Sequence, residues 1–230
     1  MPTLSVVIPA YNEARFIGEL LAQVLAVPLD PLGVRKEVIV VDDCSRDDTA
    51  AIAGAVPGVR VHKMPVNGGK GSAVRAGIGL ATGDYLIIQD ADLEYDPTDY
   101  VPMVQAILDG RGDVVYGSRY MNSGRHGNQS VTAYLGGRSL SLVMWACTGH
   151  YITDTVTALK LFPRTLLPEL ALETTGFETD HEITAKVLAR GLRIVEVPIH
   201  YHPRTKAEGK KIGLRDWFVG TRTFWRYRNG

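Results

Sequence analysis

Short apolar runs recur along the first half of the chain, separated by stretches with helical spacing. Leu4-Ser5-Val6-Val7-Ile8-Pro9 reads as a buried strand. Residues 13–27 then place Phe16, Ile17, Leu20, Leu21, Val24 and Leu25 on one helix face. Glu37-Val38-Ile39-Val40-Val41 is a second β-branched run, and it stops abruptly at Asp42-Asp43. A helix over 48–55, a strand over 59–63, a loop over 65–69 and a helix over 71–81 follow. Tyr85-Leu86-Ile87-Ile88-Gln89 is another buried strand ending in acids. Residues 99–109 read as a helix and 113–117 as a strand. Wholly apolar strands alternating with helices predict a mostly parallel sheet covered on both faces. Ligands of such sheets bind at the carboxyl ends of the strands. Those ends carry Tyr11, Asn12 and Glu13; Asp42 and Asp43; Asp90 and Asp92; Ser118 and Arg119.

The second half is less regular. Residues 121–130 form a Gly/Asn/Ser-rich loop, and 131–149 an apolar helix pattern carrying one arginine, Arg138. Residues 178–190 read as an amphipathic helix and 193–199 as a strand. A Lys/Arg/Gly-rich loop over 200–212 leads to an aromatic, basic helix over 214–228. No repeat or linker divides the chain, so one α/β domain over 1–230, with a basic and aromatic segment from 200, is the expected organisation.

Charge changes this picture in one respect. Lys plus Arg and Asp plus Glu both number 25, which argues against a nucleic-acid binder. The charges are segregated: acids gather at 42–48 and 90–96, and the stretch 204–228 is basic, which suits a metal and anion site in one half and an anionic partner for the other. Two distant cysteines, Cys44 and Cys147, make a poor disulfide framework and point to a reducing, cytoplasmic setting. The N-terminus lacks the layout of a signal peptide, and no uncharged apolar run reaches membrane-spanning length, so a soluble or peripheral protein is expected.

The acids carry the sharpest chemistry. Asp90-Ala91-Asp92-Leu93-Glu94 follows a strand, and alternation by two projects Asp90 and Asp92 to the same side. Close carboxylates repel one another unless a cation lies between them, and Mg²⁺ or Mn²⁺ takes such oxygens and shares them with a diphosphate. Asp42 and Asp43 could accept from a base or ribose; the alternative is helix capping by Ser45 or Asp47. Asn67-Gly68-Gly69-Lys70-Gly71 opens a helix, and reads either as a plain turn or as an anion-binding helix start with Lys70 adding charge. Its spacing matches neither a Walker A loop nor a dinucleotide fingerprint. Arg119, Arg138, Arg204, Lys210 and Lys211 are candidate anion contacts, and Arg138 stands out because a charge in an apolar helix needs a partner. The six histidines show no metal spacing.

Taken in order, Ser5-Val6-Val7-Ile8-Pro9-Ala10-Tyr11-Asn12-Glu13, Val41-Asp42-Asp43 with Ser45 and Asp47, Gly69-Lys70-Gly71, Asp90-Ala91-Asp92 and Gly117-Ser118-Arg119-Tyr120 resemble the family 2 glycosyltransferases, and within them the dolichol-phosphate mannosyltransferase-like group. The resemblance spans nearly the whole chain. It implies a Rossmann-like GT-A fold and inverting transfer of a hexose, mannose or glucose, from a nucleotide-diphospho-sugar to a polyprenyl phosphate. GDP-mannose or UDP-glucose is the implied donor and Mg²⁺ or Mn²⁺ the cofactor, with the protein at the inner face of a membrane. By this likeness Pro9, Tyr11 and Glu13 hold the base and ribose beside Val40, Asp42 and Asp43. Asp90 and Ala91 line the diphosphate, and Asp92 with Glu94 ligates the metal. Arg119, Arg204 and Lys210 reach phosphates, and Arg138 resembles an acceptor-phosphate arginine.

The chain departs from this pattern at Glu94, where many relatives carry Gln, and over Thr153–Lys160, which is unlike their Ser-Gly-Phe-Arg type. The C-terminal membrane-spanning helices of some relatives are missing. Three alternatives stand beside the main reading. A hydroxyl acceptor would need a base, with Asp180 or Glu182 the candidates against a bland exposed helix start. A sugar-1-phosphate nucleotidyltransferase would place a basic Gly-rich loop where Pro9–Glu13 stands. A non-catalytic nucleotide-sugar binder is the third. The last helix, with Trp217, Phe218, Phe224, Trp225 and Tyr227 among arginines, reads either as an interfacial helix or as one packed on the core.

Overall fold

The computed structural model describes residues 1–121, 131–203 and 214–229. Seven strands form one sheet: β1 (Thr3–Ala10), β2 (Arg35–Asp42), β3 (Val59–Lys63), β4 (Tyr85–Ile88), β5 (Val114–Ser118), β6 (Lys160–Pro163) and β7 (Ile194–Pro198). Their spatial order is β3-β2-β1-β4-β6-β5-β7. Every pairing is parallel except those of β6, which runs antiparallel between β4 and β5. The expected mixed α/β fold is therefore present, with one strand the sequence did not announce. β6 has only four residues and opens on Lys160, so its apolar run is too short to stand out.

The helices are α1 (Ile17–Ala26), α2 (Thr49–Gly54), α3 (Lys70–Leu80), α4 (Tyr100–Leu108), α5 (Val131–Thr148), α6 (Leu166–Glu169), α7 (Thr179–Ala189) and α8 (Leu214–Tyr227). Two apolar cores lie on opposite faces of the sheet. One gathers Leu4, Val6, Ile8, Leu20, Leu21, Val24 and Met103; the other gathers Val7, Ile39, Val41, Val74, Phe162, Ile183 and Phe224. The alternation of β1 feeds both, with Val6 and Ile8 to one face and Val7 to the other. α1 begins four residues later than its apolar spacing suggests, because Phe16 N and Ile17 N both turn back to the Glu13 carbonyl at 2.9 Å.

α7 corrects a second expectation. It is buried from Thr179 to Leu188 rather than amphipathic, so Asp180, His181, Glu182 and Lys186 all lie inside. α8 covers it: the Phe224 ring lies 4.9 Å from that of His181, and a side chain at Gly220 would collide with the same imidazole. α8 thus packs on the core through one face. Phe218 and Trp225 remain more than 60% exposed on its other face, with Arg215, Arg222 and Arg226 beside them. α8 also joins α5 through Trp217 Nε1, which donates to Ser139 Oγ at 2.8 Å. No helix among the described residues is long and apolar enough to cross a membrane.

Candidate active site

The parallel strands deliver their carboxyl ends to one edge, and because β6 is antiparallel its amino end, with the preceding residues 153–159, reaches that edge too. At the β1 and β2 ends the two loops lace together. Asn12 N donates to Ser45 Oγ (3.0 Å), Arg46 N to Asn12 Oδ1 (2.8 Å), Glu13 N to Thr49 Oγ1 (2.8 Å) and Ala14 N to Asp47 Oδ2 (3.1 Å). Asn12 and Cys44 take positive φ, which these tight crossings require. Burial works against the Asp47 charge, but donors from Thr49 and Ala14 hold its carboxyl below the usual range. The capping alternative is not met, since Asp48 is the N-cap of α2 and makes no side-chain cap bond; Asp47 fixes the loops through this brace instead.

Asp42 and Asp43 part company. Asp42 is buried; its Oδ2 accepts from Ser45 N (3.3 Å), while its buried Oδ1 has no hydrogen-bond partner among the described residues. Asp43 is consumed by the glycine loop: it accepts from Gly68 N and Gly69 N at 2.8 Å each and from Asn67 Nδ2 at 3.0 Å. The anion expected at this helix start is therefore the protein's own carboxylate. The glycines serve close packing, since a Cβ on Gly71 would meet Thr179 Oγ1 at 2.0 Å and one on Gly69 would meet the Thr175 carbonyl at 2.5 Å. Val40 is likewise not at the edge; fully buried two residues inside β2, its side chain belongs to the core, and Ala91 packs in the same cluster. Pro9 is buried near the β1 end, and Tyr11 and Glu13 are half-buried at the edge.

Lys70 stands at the centre. Its ammonium lies 2.7 Å from Asp90 Oδ1 and 2.9 Å from Asp180 Oδ2. Burial alone would lower this lysine, and the carboxylates Asp180 and Asp90 more than reverse that, holding it above its ordinary value. Asp180 also faces the fully buried Lys160 at 3.4 Å. Burial opposes its charge, yet Lys160 and Lys70 keep its carboxyl below the usual range.

The acidic turn turns on Leu93, with φ of 59°, and Glu94 N donates to Asp92 Oδ1 at 3.2 Å. Glu94 Oε2 accepts from Tyr201 Oη (2.9 Å), and its carbonyl from His202 N (2.8 Å). Among the described residues no three carboxylate, His or Cys side chains converge on one point, so the expected trio of Asp90, Asp92 and Glu94 is not assembled as a cage. The donor set that remains, hard carboxylate oxygens of Asp90 and Asp92 on one turn, fits a divalent cation that takes its other ligands from phosphate and water.

The arginines form a second group. Arg119 is buried and holds Asp154 bidentately, Nε to Oδ2 at 2.6 Å and Nη2 to Oδ1 at 2.7 Å. Its expected place as a phosphate-reaching side chain is therefore qualified by a carboxylate partner the sequence did not name. Arg138 is half-buried; Nη1 donates to the Thr153 carbonyl (2.9 Å) and Nη2 to Tyr151 Oη (2.6 Å), and it has no carboxylate partner among the described residues. Both guanidinium carbons lie 5.5 Å from the Tyr120 ring centroid, so the two arginines share one aromatic neighbour. Thr153 and Asp154 are held by Glu196 of β7, whose carboxyl burial raises above its usual value. Asp154 and Lys160 stood out in the sequence only as part of the divergent stretch Thr153–Lys160, with no role assigned, and Glu196 and Tyr201 were not singled out; the signal available for Glu196 was a charge inside the apolar run Ile194–Ile199. Arg204, Lys210 and Lys211 lie outside the described residues.

A parallel-rich sheet with acids and cations at its carboxyl edge is the architecture of the GT-A glycosyltransferases, and the chain belongs to glycosyl transferase family 2, whose model matches residues 5–167. An uncharacterized protein of Methanocaldococcus jannaschii is 31% identical over 84% of this chain and 79% of its own length. The dolichol-phosphate mannosyltransferase of Pyrococcus furiosus is 29% identical over 91% of this chain, which spans 59% of that enzyme. A UDP-N-acetylglucosamine–dolichyl-phosphate N-acetylglucosaminyltransferase of Methanococcus voltae is 27% identical over 96% of this chain and 92% of its own. Glucosyl-3-phosphoglycerate synthase of Mycobacterium tuberculosis shares the fold, with a TM-score of 0.72 at 24% identity over 99% of this chain and 79% of its own. That synthase has also been solved with Mn²⁺, UDP and glucosyl-3-phosphoglycerate.

Proposed function

We propose that this protein is an inverting hexosyltransferase that moves a sugar from a nucleotide-diphospho-sugar to a polyprenyl phosphate at a membrane surface. The observation that carries the acceptor is the setting of Arg138. Val131, Leu135, Leu142 and Trp145 of α5 are all more than half exposed, and they follow one another at the spacing of a single stripe with Arg138 in its middle. A half-buried cation without a carboxylate partner among the described residues, set in an exposed apolar stripe, matches a ligand with a phosphate head and a hydrocarbon tail. Phe218 and Trp225 of α8, among exposed arginines, extend an apolar and cationic surface suited to anionic lipid. Two of the relatives named above act on dolichyl phosphate.

The donor would lie along the β1, β2 and β4 ends. Asp42 Oδ1, buried and lacking a donor, suits the N–H or O–H of a base or ribose. Tyr11 and Glu13 would flank it. Asp90 and Asp92 would hold Mg²⁺ or Mn²⁺, which when bound neutralises charge on the departing nucleoside diphosphate. Lys70 adds positive charge beside Asp90 and is kept protonated by its two carboxylates. The acceptor phosphate is already an anion at neutral pH, so the protein need only orient it, and Arg138 with Arg119 would do so. Asp180 is a poor base for a hydroxyl acceptor, because it is buried and shared between Lys70 and Lys160.

The test is nucleoside diphosphate release by purified protein with Mn²⁺ or Mg²⁺, donors including GDP-mannose and UDP-glucose, and acceptors including polyprenyl phosphate and 3-phosphoglycerate. Release that requires both metal and polyprenyl phosphate supports the proposal and names the donor, GDP-mannose being our choice. Release driven by 3-phosphoglycerate alone would replace the lipid with a soluble phosphomonoester. Asp92→Ala should lower turnover by about 10³-fold or more, the scale of removing a metal's electrostatic stabilisation.

A further inference from the structure

One short segment organises both arginines. Arg119 grips the Asp154 carboxylate through Nε and Nη2, and its own N–H also donates to Asp154 Oδ2 at 3.1 Å. Arg138 donates to the carbonyl of the residue before, Thr153. The segment lies in irregular chain between α5 and β6, where no ladder fixes its register. One carboxylate does so instead. Glu196 Oε2 accepts from Thr153 N at 2.8 Å, while Oε1 accepts from Thr153 Oγ1 at 2.6 Å and from Asp154 N at 2.9 Å. Ser118 Oγ, the residue before Arg119, lies 2.6 Å from the same Thr153 hydroxyl.

This is a costly way to hold a loop. Glu196 is half-buried and has no lysine or arginine partner among the described residues, and it faces the fully buried carboxylate of Asp154. Like charges in a shielded site raise the free energy of the fold, and an apolar residue would sit more easily in a strand. What the carboxylate adds is geometry, because three donors converge on two fixed oxygens and lock the Thr153–Asp154 peptide. That peptide carries the Thr153 carbonyl toward Arg138 and the Asp154 side chain toward Arg119.

We infer that Glu196 is a positioning residue which, through Thr153 and Asp154, sets the separation and aim of Arg119 and Arg138 and so the grip on the acceptor phosphate. It touches no substrate itself. The inference rests on the phosphate acceptor proposed above, and its prediction concerns the acceptor only.

Glu196→Gln keeps the shape but presents an amide group to donors on one side, and Glu196→Asp keeps the charge with a shorter reach. Both would be compared with the wild type by steady-state kinetics and by calorimetric titration with farnesyl phosphate in the absence of donor. In E196Q the KM for prenyl phosphate and the Kd for farnesyl phosphate should rise about tenfold or more, the scale of one misplaced charge-assisted hydrogen bond. kcat and the donor KM should stay within about twofold of wild type, inside the scatter of uncoupled sites. E196D should recover part of the loss. Equal rises in both KM values, a fall in kcat alone, or unchanged farnesyl phosphate binding would overturn the inference. A wild type that binds farnesyl phosphate but transfers nothing to it would sink the proposed reaction and leave Glu196 to be judged by Kd. A wild type that does neither would remove both.

Discussion

Asp42 and Asp43 are neighbours of one type at one strand end, and the structure gives them opposite work. Asp43 is tied to Gly68, Gly69 and Asn67, whereas Asp42 keeps a buried oxygen without a partner. Asp43→Ala should therefore cost about 1–2 kcal/mol of stability, because three part-buried hydrogen bonds lose their acceptor at once. Chemical denaturation would register that loss. Asp42→Asn should leave the denaturation midpoint near wild type but raise the donor KM about tenfold, the scale of one lost charge-assisted contact. A stability loss at Asp42 matching that at Asp43 would remove the distinction. The sequence shows the pair but not the split, since which carboxylate meets the glycine loop depends on where residues 67–69 return in space. Arg119 was legible as a strand-end arginine, and Asp154, its partner 35 residues on, was not.

At the scale of elements, the first half follows its hydrophobic pattern closely because β1, β4, β5 and the second half of β2 are buried and α1 and α4 each bury one apolar face. α7 departs from pattern for a reason that no local period can reveal: α8, 35 residues further on, adds a second cover over its polar side. The cost sits on His181. Both its ring nitrogens are buried without hydrogen-bond partners among the described residues, and burial, opposed in part by Asp180, lowers its pKa to about 4. A histidine depressed below its unfolded value of 6.5 leaves the fold's stability intact above that pH. Stability is lost as pH falls from 6.5 towards 4, by up to about 3 kcal/mol. Thermal melts from pH 7 to 4 should show this loss, and His181→Leu should flatten it; an unchanged slope in the variant would assign the acid sensitivity elsewhere. α5 makes a separate prediction. Leu142→Asp with Trp145→Glu should weaken sedimentation with anionic lipid vesicles while farnesyl phosphate, presented free in solution, is still used. Equal vesicle binding by the variant would mean that another surface meets the membrane.

At the scale of the whole molecule, the order of short strands and polar strand ends was enough to place the edge where the acids gather, proposed above as the donor side, because chain direction in a parallel sheet fixes which end of every strand is shared. The proposed acceptor side was legible only as isolated arginines. Its construction depends on β6 entering antiparallel and on β7 lying beside β5, so that Thr153, Asp154 and Glu196 meet Arg119 and Arg138 from three distant parts of the chain. This second group is proposed to receive a lipid phosphate. The most direct measurement is mass spectrometry of the organic extract after incubating enzyme, metal, nucleotide sugar and polyprenyl phosphate, with Arg138→Ala run alongside. A polyprenyl phosphohexose is expected from the wild type and at least about tenfold less from the variant, the loss of one charged phosphate contact. Sugar transferred only to a water-soluble acceptor, or a lipid product formed equally well without Arg138, would contradict it.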